Sequence, residues 1–135
     1  MRTGCGLCAM ICLAGFLLSC SRQATAPNGA AVEAQAEQFV REVVQGDFSG
    51  AMARFDDHMA NAMPADKLRE TWRAVVTEVG EFERIAATRL EKAPPHDIAF
   101  LTCEFEKQTL DLKLVFASSG KISGMWFVPS QAAAQ

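Results

Sequence analysis

The sequence predicts an α+β fold in which three N-terminal helices pack on a curved, four-stranded antiparallel sheet. Apolar residues recur with the period of a helix from residue 32 to residue 80, and with the two-residue period of a strand from there to residue 129. The connections between the strand segments are short, which favours an antiparallel meander over parallel strands joined by helices. Residues 32–129 therefore form one layered α+β domain, helices first.

Three amphipathic segments predict the helices. The first ends at Gly46, and Asp47 is placed to cap the second. Pro64 separates the second segment from the third, which closes at Gly80. The apolar stripes expected to face the sheet are Val32, Ala36, Phe39, Val40 and Val43 in the first segment, Phe48, Met52, Phe55 and Met59 in the second, and Leu68, Trp72, Val75, Val76 and Val79 in the third.

Four alternating segments predict the strands. The first, residues 82–90, alternates imperfectly, which indicates a bulge near Ala86 and Ala87. Turns at residues 94–97 and 118–120 lead into the second and the fourth strand, and the fourth, residues 121–128, stops at Pro129. The residues expected to face the helices are Ala99, Leu101, Cys103 and Phe105 in the second strand and Leu110, Leu112, Leu114 and Phe116 in the third, with Thr102, Glu104, Asp111 and Lys113 facing outward.

The two faces of this sheet suggest different binding surfaces. A half-apolar open sheet face is typical of association surfaces, whereas the helix-covered face would enclose any pocket. The predicted pocket lining is Phe39, Phe55, Trp72, Leu101, Cys103 and Leu112. The outer face is expected to carry Ile98, Phe100 and Val115, with either Met125 and Phe127 or Trp126 and Val128. The residues predicted to contact a second copy of the chain or an envelope protein are Phe100, Val115 and Met125.

Residues 1–19 are expected to be an export leader. The apolar run from Leu7 to Leu18 is shorter than the roughly 20 residues that span a bilayer. The segment Leu17-Leu18-Ser19-Cys20 that ends it resembles the bacterial lipobox, which implies that Cys20 is lipidated and becomes the mature N-terminus. By the same resemblance, Ser21 favours sorting to the outer membrane, with the domain in the periplasm. Ordinary secretion and an uncleaved anchor are the alternatives.

The segments on either side of the domain are short. Residues 20–31 are small and polar without an apolar period, which indicates a flexible tether, and residues 130–135 are expected to be a disordered tail. Cys5, Cys8 and Cys12 lie in the predicted leader and Cys20 would carry lipid, so only Cys103 remains and no disulfide can form within the mature chain.

The order of several turn and packing motifs resembles a known family. The motifs are Gly46-Asp47-Phe48, Trp72, Gly80-Glu81-Phe82 and Gly-Lys-Ile-Ser-Gly-Met-Trp-Phe-Val-Pro at 120–129. They resemble a small bacterial lipoprotein family with a domain of unknown function of the 3887 type, within the nuclear-transport-factor-like, cystatin-like α+β cone superfamily. The resemblance implies a cone-shaped sheet with a pocket, often a homodimer through its outer face, and no assigned activity.

The candidate catalytic residues do not form a recognisable pattern. His58 follows Asp56 and Asp57, but no HxxxH or HExxH spacing supplies further metal ligands. A Cys103–His58 nucleophile pair requires the second helix to lie over the second strand. Trp72 is either a core anchor or part of a pocket mouth. No G-x-S-x-G segment supports a serine hydrolase, and we expect neither a cofactor nor a metal.

Charge and residue pattern favour a binding module over an enzyme. The formal net charge is −3 and basic residues alternate with acids, which gives no support to nucleic-acid binding. The leading hypothesis is a lipid-anchored, non-catalytic module that binds a small apolar ligand, a second copy or an envelope protein. A small isomerase- or hydrolase-type enzyme that uses the cone pocket and a purely structural envelope lipoprotein are the alternatives.

Overall fold

Within residues 28–131, four helices precede an antiparallel sheet of four strands. The computed structural model describes residues 28–131. The strands follow one another in the order β1-β2-β3-β4, each antiparallel to the next, so the predicted α+β class and meander are confirmed. The elements are α1 Gly29–Gln45, α2 Phe48–Met52, α3 Asp57–Ala62, α4 Ala65–Val79, β1 Phe82–Ala93, β2 His96–Phe105, β3 Thr109–Phe116 and β4 Ile122–Pro129.

The first helix starts earlier than its apolar stripe indicates. The side chain of Asn28 accepts a hydrogen bond from the Ala31 amide at 2.9 Å, so α1 begins at Gly29 and takes in the last residues of the predicted tether. The predicted leader, the Cys20 lipidation site and residues 132–135 lie outside the described residues. Within residues 28–131, no helix is long and apolar enough to cross a membrane.

The predicted second helix is two short helices, which is why four helices are present rather than three. After α2, the chain stops winding and Phe55 forms a parallel bridge with Ile122 of β4. The Ile122 amide donates to the Arg54 carbonyl at 2.8 Å, and the Asp56 amide donates to the Ile122 carbonyl at 2.9 Å. The Asp56 side chain then caps α3 by accepting from the Met59 amide. Bonds to β4 therefore satisfy the backbone groups that a continuous helix would have paired.

The core lies between the helices and the inner face of the sheet. The alternation predicted for β2 and β3 is confirmed, with Leu110 half-buried at the end of the inner row. The predicted bulge is confirmed as well, because the pairing of β1 with β2 shifts register between Ile85 and Ala87. The buried residues of the inner face are Ala99, Leu101, Cys103, Phe105, Leu112, Leu114, Phe116, Ile122 and Met125.

The position of Met125 corrects one prediction. The register of β4 shifts so that Ile122 pairs with Phe116 while Gly124 pairs with Val115, which leaves Ser123 as an extra residue. Met125 consequently lies on the inner face, only 9% exposed, and cannot belong to a contact surface on the outer face. Trp126 takes the outer position instead, at 53% exposure.

The C-terminal segment also differs from the prediction. Ser130 is buried, so the first residue of the predicted tail is packed against the domain, whereas Gln131 is exposed and its amide donates to the Asp111 carboxylate at 3.5 Å. Asp111 lies on the outer face as predicted, yet it is buried, and the Thr102 hydroxyl donates to it at 2.9 Å. A buried carboxylate needs such donors to offset its lost hydration.

An ion pair joins α1 to the turn between α2 and α3. The Arg54 guanidinium donates two hydrogen bonds to the Glu42 carboxylate, at 2.7 and 2.8 Å, and both side chains are largely shielded from solvent. The bond to Arg54 lowers the pKa of Glu42, and the same bond raises the pKa of Arg54, in each case against an opposing effect of burial.

Replacing Glu42 by Gln should lower the free energy of unfolding at neutral pH by about 1–3 kcal/mol, the range for hydrogen bonds to charged groups. Because the folded-state pKa of Glu42 is lowered, the ion pair stabilises fully above the unfolded pKa and is lost as pH falls through the folded pKa. The difference between wild type and Glu42→Gln in urea unfolding should therefore stay constant at neutral pH and shrink as the pH falls below the unfolded pKa of glutamate, about 4.3. Asp66→Asn, which breaks an exposed ion pair with Arg69, is the control and should change little. A pH-independent difference would contradict the assignment.

Candidate functional site

The predicted inner pocket is closed. Of its predicted lining, Phe39, Trp72, Cys103 and Leu112 surround a common space under the helices, but the cavity measures about 10 Å³. Space of that size holds at most one water molecule, and its walls are apolar. The predicted members that do not line it are Phe55 and Leu101, which are buried elsewhere in the same core.

Trp72, which is half-buried, packs against three phenylalanine rings. Its ring lies 5.8 Å from the ring of Phe105 and 6.3 Å from the rings of Phe82 and Phe127, all at tilted angles. Rings at these separations attract one another through their edges and faces. The arrangement matches the core-anchor role of Trp72 rather than the pocket mouth.

Cys103 is buried and weakly acidic. Burial, together with the nearby charge of Asp111, raises the pKa of the Cys103 thiol to about 12 against a weaker opposing hydrogen bond from the Leu112 backbone. His58 lies exposed on α3, and no hydrogen bond joins it to Cys103. A nucleophilic cysteine needs a stabilised thiolate and an adjacent base, and the structure places neither at Cys103.

The acids beside His58 have separate positions. Asp56 caps α3, whereas Asp57 and His58 are exposed in the first turn of that helix. Within the described chain, no three histidine, cysteine, aspartate or glutamate side chains come together as metal ligands. The Asp56–His58 segment is therefore a capped helix start rather than a ligand set.

The outer face of the sheet carries an apolar patch, which we call the outer patch: Ile98, Phe100, Val115 and Trp126. The first three side chains are half-buried and Trp126 is the most exposed. The indole of Trp126 lies against Gly124, where an added Cβ would come within 2.4 Å of the ring. Glycine at this position therefore lets the ring lie against the strand beside Val115.

Two cations flank the outer patch. The Arg89 guanidinium lies 4.3 Å from the centroid of the Phe100 ring and also pairs with Glu91. The Lys113 ammonium lies 5.9 Å from the Phe100 ring and 5.5 Å from the Trp126 ring. Between residues 28 and 131, Lys113 has no carboxylate within ion-pair distance. The centre of the patch is therefore apolar with one unmatched positive charge.

A second surface, which the sequence pattern did not indicate, lies along the free edge of β1. A groove of about 460 Å³ runs between this edge and α1. Val40 and Ile85 lie at its apolar base, and Val44, 40% exposed, lies on its helix side. Its charged residues are Glu33, Glu37 and Arg41, which share one face of α1 at a spacing of four. Helical spacing alone could have revealed this charged stripe, but not that an edge strand lies beside it.

Comparison with known proteins places the chain in a sequence family. Residues 36–125 match the family described as "Protein of unknown function (DUF3887)". The matched segment extends from α1 to β4 and covers most of the described domain. The comparison with curated proteins gives no match.

Cys103 should resist alkylation while the protein is folded. With a thiol pKa of about 12, only roughly one molecule in ten thousand carries the thiolate at pH 8. We expect peptide mass mapping after iodoacetamide treatment to show Cys103 unmodified in native buffer and fully modified in guanidinium. Rapid alkylation of Cys103 in native buffer would contradict its burial.

Trp72→Ala should lower the free energy of unfolding by about 3–5 kcal/mol, because it leaves a cavity among three phenylalanine rings. Trp72→Phe retains part of the ring packing and should cost less. Chemical unfolding followed by circular dichroism measures both. If Trp72→Ala is nearly neutral, Trp72 lines an open pocket mouth after all.

Proposed function

Because the chain belongs to the DUF3887 family of proteins of unknown function, we propose its function from its surfaces, its closed interior and its N-terminal motif. We propose that it is a non-catalytic binding module of the cell envelope. A lipid on Cys20 holds it at the membrane, and the outer patch contacts an envelope protein. The observation that carries this proposal is the exposed Trp126, which lies over Gly124 beside the unmatched charge of Lys113.

The closed interior supports binding over catalysis. A small enzyme of the isomerase or hydrolase type needs a cavity that admits substrate and titratable groups that face it. Here the cavity is about 10 Å³, and the one ionisable side chain in its lining is Cys103, whose pKa is raised. A small apolar ligand would likewise have to displace packed core side chains. The outer patch, in contrast, is already accessible.

The charge of the outer patch supports an envelope protein over a second copy as its partner. In a symmetric face-to-face dimer centred on the patch, the Lys113 ammonium groups of both copies would come close together. Like charges in a desolvated contact oppose association. A partner surface that combines apolar side chains with one carboxylate would satisfy both the ring cluster and Lys113. Phe100 and Val115 keep their predicted roles in this contact, and Trp126 replaces Met125.

The lipobox resemblance of Leu17-Leu18-Ser19-Cys20 supports the location that we propose. Each buried methylene contributes about 0.8 kcal/mol, so the acyl chains of a lipoprotein give stable anchoring. We propose sorting to the outer membrane with the domain in the periplasm, on the basis of Ser21. The order of helices and strands also supports a place in the nuclear-transport-factor-like superfamily, with the sheet curved as a cone.

A photo-activated cross-linking residue at Val115 should test the contact in the cells that produce the protein. We expect one discrete adduct heavier than the chain, because Val115 lies at the centre of the outer patch. Lys113→Glu should remove the adduct, since it would place a negative charge opposite the partner's carboxylate. Immunoblotting of the chain measures the adduct.

Two controls make the cross-linking result specific. Lys107→Glu, the same charge change at an exposed turn residue, should leave the adduct intact, and the cross-linker at exposed Ala74 of α4 should give none. Equal adducts from Val115 and Ala74 would refute the outer patch as a binding site. An adduct with the mass of two chains would identify a second copy as its partner, contrary to the proposal.

A further inference from the structure

Among residues 28–131, the first strand has a hydrogen-bonding partner on one side only. β1 is an edge strand of 12 residues, and its other edge opens onto the groove beside α1. An unpaired edge offers a row of backbone donors and acceptors to any extended strand. The groove adds space of about 460 Å³ next to that edge, within the range of specific binding sites.

We propose that this edge pairs with β1 of a second copy of the chain. The two strands would run antiparallel about a two-fold axis perpendicular to the sheet at Thr88, and the two four-stranded sheets would join into one of eight strands. This contact uses a surface separate from the outer patch. The residue order of β1 about Thr88 and the charge order of α1 about Glu37 both support this axis.

The residues of β1 complement themselves about Thr88. Across the axis, Ala87 meets Arg89 on the outer face, and, because Ala86 is the extra residue of the bulge, Ile85 then meets Leu90 on the inner face. Continuing outward, Arg84 meets Glu91, again on the outer face. Every cross-strand pair therefore joins residues of the same face, as a register requires. The Ile85–Leu90 pair is apolar, which stabilises antiparallel strands. The Arg84–Glu91 pair has opposite charges and would add to the bonds that Arg84 makes to Glu104 and Glu91 makes to Arg89.

The exposed stripe of α1 complements itself about Glu37. The Thr88 hydroxyl donates to the Glu37 carboxylate at 3.2 Å, which places Glu37 beside the proposed axis. With α1 of the second copy running antiparallel, Glu33 of each copy would face Arg41 of the other. Arg41 also donates to Glu37 of its own chain, so in the pair each Arg41 would lie between two carboxylates, Glu37 of its own chain and Glu33 of the other. Thr88 supplies a second donor to Glu37.

The two lines of support are independent because they come from different segments of the chain. The bulge register of β1 determines which strand residues meet, whereas the four-residue spacing of α1 determines which charges meet. Thr88 is the central residue of the strand pattern and Glu37 that of the helix pattern, and a hydrogen bond of 3.2 Å joins their side chains. A partner of unrelated sequence would need to reproduce this pattern by coincidence, which is why we assign the edge to a second copy.

Such a pair would have a consequence for binding. A two-fold axis perpendicular to the sheet leaves both outer faces on the same side, so two outer patches would be presented in one plane. Two linked sites bind a two-site partner more tightly than either site alone. Pairing would also cover the free edges of both β1 strands, which removes a site of unspecific strand addition.

A pair of complementary charge reversals tests the contact. In a dimer of Glu33→Lys, the lysine at position 33 of each copy would face Arg41 of the other, and in a dimer of Arg41→Glu, the glutamate at position 41 would face Glu33. Both contacts are repulsive, so each variant alone should dimerise at least about tenfold more weakly than wild type. In a mixed dimer, the lysine at position 33 of one variant would face the glutamate at position 41 of the other, and Arg41 of the first would face Glu33 of the second. Both contacts are attractive, so the affinity of the mixed dimer should return to within about threefold of wild type. Native mass spectrometry of the full chain in detergent distinguishes the mixed dimer by its mass.

Controls separate this contact from the outer patch and from misfolding. Arg73→Glu, an equal charge change on exposed α4, and Lys113→Glu should both leave the wild-type dimer unchanged. If either groove variant does not fold, as judged by circular dichroism, Arg84→Glu mixed with Glu91→Arg applies the same design to the strand. A monomeric wild type, dimers of undiminished affinity in the single variants, or no recovery on mixing would each overturn the proposal. Loss of the dimer in Lys113→Glu would place the contact on the outer face instead.

Discussion

The strict alternation of β2 and β3 is the constraint on which the rest of the structure depends. Each strand turns a continuous apolar row toward the helices, and residues such as Leu101, Leu112 and Leu114 are almost completely buried there. Burying a side chain of this size contributes about 1.5–3 kcal/mol. Opening a ligand cavity among them would forfeit several of these contributions, and the space under the helices is closed.

Because this packing is apolar, most charged side chains of the described domain lie outside the core, and Asp111 is the buried exception. The inner face holds one ionisable group in its cavity lining, a thiol that burial keeps protonated. The Glu42–Arg54 ion pair, largely shielded from solvent, joins α1 to the turn before α3. On the exterior, Lys113 lies among the rings of the outer patch, and α1 carries Glu33, Glu37 and Arg41 beside β1.

Much of the fold could be predicted from the sequence, because the two hydrophobic periods report which side of an element is buried. The inner rows of β2 and β3, the bulge in β1 and the core role of Trp72 all follow from that signal. Three features could not be predicted. Phe55 leaves the helical path and forms a bridge with Ile122 of β4, and Met125 faces inward because Ser123 is an extra residue in β4. Ser130, the third, is buried although it follows the last strand.

The sequence by itself determined the class of fold, the order of its elements and the absence of a recognisable catalytic motif, since these depend on local periodicity and residue spacing. Only the tertiary structure decided which residues form the outer patch and that a charged groove lies along β1. Both depend on the register between strands and on the position of a helix relative to a sheet edge. Register and helix position depend on contacts between residues that are distant in the chain, and local sequence periodicity does not indicate such contacts.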